Sequence, residues 1–119
     1  MSSTIQRSTV VAAGATNENV IAGQPGEFIG SRPAIVEVFA IRDTGGAAGV
    51  GDIEVLFGQR QMYTPAPLSN SVAAGRLNKA EDSIMKDVAM PGERITVRVT
   101  ETASVAALTA ITRVEISDL

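Results

Sequence analysis

The side chains of this sequence that can do chemistry are carboxylates, hydroxyls and guanidinium groups, because its 119 residues include no His and no Cys. That composition leaves out Cys/His zinc sites, thiolate nucleophiles, imidazole-based triads and disulfides. Asp43 and Asp52 flank a Gly-rich stretch, and Glu37 and Glu54 stand on the two apolar runs that it joins. Carboxylates facing one another can run glycoside hydrolysis or hold a hard cation such as calcium. No Asp-x-Asp-x-Asp spacing accompanies them, so they read as solvated or ion-paired groups at strand ends. Glu37 is the exception, since a carboxylate buried in an apolar run needs an ion pair, a hydrogen bond or a subunit contact. Arg94 and Arg98 share the wet face of an alternating run with Glu93 and Glu101 nearby, a charged sheet face or an intersubunit salt-bridge strip. The hydroxyls of Ser2, Ser3, Thr4, Ser8 and Thr9 have no His or placed Lys to activate them. The Gly-rich stretch, residues 43–52, lacks the Gly-Lys-Ser/Thr of a phosphate loop. It also has Glu54 where a dinucleotide fingerprint needs its third Gly. It reads as a surface loop. These residues predict a protein that is not an enzyme, with no catalytic, cofactor-binding or metal-binding residues.

The elements that position these groups are strands. The chain holds 13 Val, 10 Ile and 10 Thr against 5 Leu, and branching at Cβ suits a pleated, half-buried surface. Eleven Gly and 5 Pro divide it into short pieces. Residues 2–11 are small, polar and β-branched, an N-terminal arm or edge strand occupying 1–14. Residues 15–22 predict a short strand ending in Val20-Ile21, and Gly23-Gln24-Pro25-Gly26 a tight turn. Residues 27–30 are briefly extended. The run 34–41 is apolar on both faces, with Ile35, Glu37, Phe39 and Ile41 on one and Val36, Val38 and Ala40 on the other, as in a strand covered on both sides. Strands are further expected at 53–57, 81–90, 95–100 and 108–116. Residues 59–70, with Pro65 and Pro67, read as a loop or an extended crossing segment, 71–80 as ambiguous, and 101–107 as a connection with weak helical tendency. About eight strands at this spacing, with no long amphipathic helix between them, predict an all-β fold. The expected architecture is an antiparallel β-sandwich or single jelly roll occupying 15–119.

Charge and aromatic content bear on partners. Ten basic against 13 acidic residues give a net charge of −3, and Arg7 is the only basic residue before Arg32. A phosphate-binding stripe needs clustered positive charge, so direct nucleic-acid binding is not expected. Phe28, Phe39, Phe57 and Tyr63 are the only rings, and three of the four fall in strand-like runs, where core positions are expected. That counts against base stacking and sugar stacking. No run reaches the length of a transmembrane segment, and Met1-Ser2-Ser3-Thr4-Ile5-Gln6-Arg7 lacks the pattern of a signal peptide. Synthesis and retention in the cytoplasm are expected.

The stretch Asn17-Glu18-Asn19-Val20-Ile21-Ala22-Gly23-Gln24-Pro25-Gly26-Glu27-Phe28 leads into Pro33-Ala34-Ile35-Val36-Glu37-Val38. Met90-Pro91-Gly92-Glu93-Arg94-Ile95-Thr96-Val97 follows later. In this order of strands and turns the chain resembles the small single jelly-roll capsid proteins of tailless icosahedral bacterial viruses. The resemblance implies a virion shell protein, made in the host cytoplasm, that associates with itself and with other capsid proteins. Val10, Val11, Glu37, Arg94 and Arg98 are the expected intersubunit contacts. The alternatives are a capsid-decorating subunit and a glycan- or ligand-binding β-sandwich module.

Overall fold

A computed structural model describes residues 3–43, 49–69, 77, 82–104 and 106–119. These form eight strands: β1 (Ser3–Val11), β2 (Thr16–Asn17), β3 (Ala34–Arg42), β4 (Gly51–Phe57), β5 (Arg60–Pro67), β6 (Ser83–Ala89), β7 (Ile95–Glu101) and β8 (Leu108–Asp118). They make two four-stranded antiparallel sheets, in the orders β1-β8-β3-β6 and β2-β7-β4-β5. The pairs are nested, β1 with β8 and β3 with β6 in one sheet, β2 with β7 and β4 with β5 in the other. A long hairpin wound across two facing sheets has this order, so the expected all-β sandwich is present with jelly-roll connectivity.

The period-two pattern of the sequence becomes the core. Val36, Val38 and Ala40 of β3 face Ile53, Val55 and Phe57 of β4 and Ile95, Val97 and Val99 of β7 in one buried cluster, to which Leu108, Ala110 and Val114 of β8 contribute. β3 is buried on both faces as its composition requires: Phe39 and Ile41, on the far face with Ile111 of β8, are also shielded from water outside that cluster. At its first residue β4 must be glycine. A Cβ on Gly51 would collide with the Thr100 carbonyl oxygen and the Leu108 methyl group.

Four expectations need correction or completion. Residues 1–14 hold no free arm among those described, because β1 is a nine-residue edge strand in register with β8 from Ser3↔Ile116 to Val11↔Leu108. The strand expected over 15–22 is only Thr16–Asn17; beyond it Asn19 folds the chain into the turns that precede Glu27. Within 59–70, expected as a loop or an extended crossing segment, residues 60–67 are extended and pair as strand β5, where prolines are tolerated because it lies at a sheet edge. The connection after β7 contains bends and no helix among its described residues. Most of the ambiguous segment 71–80 and the centre of the Gly-rich stretch lie outside the described residues.

At the rise of a strand the eleven residues of β8 extend about 33 Å, which only the long axis of the 42 × 26 × 22 Å body accommodates. The strands therefore run along that axis and their ends define two poles. Ser3, Ala34, Phe57, Ala89, Ile95 and Asp118 mark one. Val11, Arg42, Gly51, Glu101 and Leu108 mark the other.

Candidate functional site

The five expected contact residues separate into three environments. Val10 and Val11 are neighbours on β1, so the pleat sends them to opposite faces: Val10 is 68% exposed and Val11 only 3%. Val11 belongs to the core, so of the two valines only Val10 presents its side chain to solvent. Glu37 is half-buried on the outer face of its sheet, where it accepts a 2.7 Å hydrogen bond from the Ser83 hydroxyl and stands opposite Lys86 and Glu115. Arg94 and Arg98 do form a strip on the other sheet, but its partners are intramolecular. Arg98 donates to Glu54 at 2.7 Å and to Glu18 at 2.9 Å, while Arg94 donates to Glu27 and its guanidinium lies 5.9 Å from the centroid of the Phe28 ring. Glu37 and Glu54 belong to different sheets and do not converge, so they do not form a carboxylate pair.

Of the acidic residues near that strip, Glu101 is the most constrained. It is the last residue of β7 and is 1% exposed. Its two oxygens accept the backbone N–H groups of Gly14 at 2.8 Å, Val50 at 3.2 Å, Ala103 at 3.0 Å and Ser104 at 2.7 Å. These donors come from three different connections at the second pole. The bonds hold the Glu101 carboxyl below its usual range, that from Gly14 foremost, against the opposing effect of burial. Ser104 is held with φ of 60°, the left-handed region that a residue with a side chain seldom occupies. The sequence signal for this role was slight: a Glu ending an alternating strand just before Thr-Ala-Ser.

Asn19 and Glu27 do a similar job at the first pole. Asn19 takes the place of a strand residue, its amide oxygen accepting from Val97 and Ile21 and its amide nitrogen donating to the Ile95 carbonyl at 3.0 Å. Glu27 accepts from the Gly23 N–H at 2.8 Å and from Arg94, and these two bonds lower its pKa. This clamp fastens the segment between β2 and β3 along β7, with Phe28 bridged to Arg94.

Exposed large apolar side chains are confined to the poles. Among the described residues they are Phe28, Met90 and Leu119 at the first pole and Val10 and Val50 at the second. The middles of the sheets' outer faces carry Arg98 with Glu18 and Glu54, and Arg113 with Glu115 and Gln6. Phe28 departs from the expectation that its ring is in the core, because the residue alternates with buried Glu27 and Ile29 on a segment only one bridge long. Beside it a groove of about 380 Å³ has an apolar floor including Ile29, Ala34 and Ile116, with Arg32 and Asp118 along its length. A smaller hollow of about 230 Å³, between Arg32, Pro33, Asp118 and Leu119, adjoins it. Composition alone could not single out Arg32 or Leu119, whose roles depend on which strand ends meet.

Among the described residues no group of three or more acidic side chains comes together to hold a metal ion, and no helix is long and apolar enough to cross a membrane. Comparison of the chain with protein-family models, with curated proteins and with solved structures returns no match.

Proposed function

We propose that the protein is a structural subunit that works by self-association, a virion shell protein made in the host cytoplasm and assembled there with itself and other capsid proteins. The observation that carries this reading is the distribution of the exposed apolar side chains. Phe28, Met90 and Leu119 crowd one pole and Val10 and Val50 the other, while the sheet faces between them are ion-paired within the subunit. Apolar residues gathered at an end and rimmed by charge suit protein contacts, whereas scattered ones need no explanation. The jelly-roll order adds to it, since the connections between its strands gather at the poles, where segments distant in sequence meet. The resemblance in the order of turns around residues 17–38 and 90–97 points the same way.

Light scattering on the purified protein across a concentration series, with negative-stain imaging of each species, tests the reading. Closed shells, rings or a fixed small oligomer are expected. A monomer at every concentration would overturn self-assembly and favour a decorating subunit that needs its scaffold, or a ligand-binding module.

A further inference from the structure

We infer that β1 is an exchangeable strand: it leaves β8 without unfolding the rest of the molecule, and between associated copies β1 of one pairs with β8 of another. This rests on the self-association reading and names the surface, the edge of β8 that β1 covers, and the partner, the same strand of a second copy.

The inward face of β1 is what loosens it. Ile5 and Val11 are its buried apolar groups, and between them the same face carries Arg7 and Thr9. Arg7 is exposed, with no ion pair or hydrogen bond among the described residues. The Thr9 hydroxyl is buried without a hydrogen-bond partner, and so is that of Thr112, the β8 residue directly opposite Arg7. Thr112 is wholly enclosed. A buried hydroxyl without a partner forfeits the hydrogen bonds that water would give it. Withdrawing β1 uncovers both hydroxyls, so their hydration offsets part of the loss of strand pairing. The backbone bonds to β8 thus hold the middle of β1 with little help from its side chains. Local opening draws on elements of this kind, which have few buried apolar contacts and a solvent-exposed edge.

What β1 leaves behind keeps its shape. β8 is paired on its other side with β3, from Ala34↔Asp118 to Arg42↔Ala110, so its edge stays extended when β1 is gone. An uncovered edge is a template for a strand, and β1 matches this one in register over nine residues, with Ile5 and Val11 entering the core. The β1 of a second copy reproduces each of these contacts, which makes exchange of an identical element a low-cost route to association. The hinge is short and built of small residues. Ala12, Ala13 and Gly14 are exposed and are closed by a 2.9 Å bond from the Ala15 N–H to the Ala12 carbonyl, while the Gly14 N–H is held by Glu101. Opening the first bond lets Ala12 and Ala13 swing β1 outward with the following chain still anchored.

The chain has no Cys, so introduced thiols report strand pairing directly. Thr4 and Glu115 stand opposite one another on the outer face of the β1–β8 pair. Thr4→Cys and Glu115→Cys are purified separately, checked for an unchanged far-UV spectrum, mixed at a concentration where the wild type associates, and gently oxidised. Exchange sets a thiol of each variant side by side, so the mixed disulfide is expected to exceed the two homodisulfides by at least about fivefold. Adding Thr9→Val and Thr112→Val to both chains keeps the side-chain shapes but removes the unpartnered hydroxyls. That is expected to slow formation of the mixed disulfide by about tenfold. If the wild type associates but oxidation gives only a statistical set of disulfides, each β1 stays on its own β8; the exchange is then wrong and self-association proceeds through other surfaces. An unchanged rate in the valine variants would overturn the opening argued from Thr9 and Thr112. A wild type that stays monomeric at every concentration overturns both the exchange and the reading on which it rests.

Discussion

Glu101 offers two oxygens to four amide protons drawn from the connections after β1, before β4 and after β7. Buried N–H groups left without a partner are costly, so one carboxylate closes much of the hydrogen-bond account of that pole. Glutamine at this position keeps the shape but replaces one acceptor by an NH2 group that confronts amide donors. Glu101→Gln is therefore expected to lower the Tm at neutral pH by about 10 °C. The pH dependence follows from the same geometry. Glu27, Glu93 and Glu101 all have pKa values held below the ordinary 4.5, by the Gly23 N–H, by Arg60 and by the Gly14 N–H respectively. A carboxyl whose pKa falls on folding contributes stability that is fully present above its unfolded value and is lost as pH drops through the folded one. Denaturant midpoints are expected to be level from neutrality down to about pH 5 and to decline below the ordinary carboxyl range, with a shallower decline in Glu101→Gln. A variant whose acid limb has the wild-type slope would show that Glu101 is not one of the groups responsible.

At the scale of elements, β1 shows how one edge strand divides its side chains between two duties. Ile5 and Val11 close the core, and Val10 projects into solvent opposite Thr109. Arg7 stands on the same side of the strand as Ile5 and Val11, two residues from the first, yet remains exposed. A charge facing inward on an edge strand discourages further strand pairing, so this edge is guarded even though it is nine residues long. The two valines provide a direct comparison. Val11→Asp buries an unpaired charge and is expected to destabilise by more than about 4 kcal/mol, while Val10→Asp changes stability by no more than about 0.5 kcal/mol. Urea titration separates them. If the second pole takes part in assembly, Val10→Asp also raises the concentration needed for oligomers to appear in light scattering. β5 makes a related point: Pro65 and Pro67 argued against a strand, but only a central strand needs every N–H, and β5 has β4 on one side alone.

Across the whole molecule the nested order joins residues far apart in sequence. β1 pairs with β8 and β2 with β7, so both sheets need the first and last parts of the chain together. Closing such long loops precedes the gain from strand contact, and folds dominated by distant pairings are slow. Refolding monitored by far-UV circular dichroism is expected to have a main phase between about 1 ms and several seconds, with a single cooperative equilibrium transition. Two separated transitions would mean that the sheets form independently, contrary to a core to which β3 and β8 of one sheet and β4 and β7 of the other contribute together. The shape also sets where contacts can form: a body 42 Å long with ion-paired flanks presents its apolar groups at the ends.

The sequence alone was sufficient for the all-β class, for most strands and for the double burial of the run around Val36 to Ile41. These follow from alternation, β-branching and turn residues, which act over a few positions. It also placed Arg94 and Arg98 on one wet face. Strand order, however, depends on which distant segments meet, and no local pattern encodes the pairing of Ser3 with Ile116 or of Thr16 with Thr100. The same limit applies to the candidate site. Whether Val10 or Val11 faces water depends on the register with β8, and Arg98 finds Glu18 and Glu54 only because three separate segments pack side by side. Arg32, Asp118 and Leu119 become neighbours because the turn before β3 meets the end of β8. Local patterning determined which residues are strands and which side chains alternate; tertiary packing decided which of the exposed ones stand together, because proximity between distant segments exists only once the two sheets have closed.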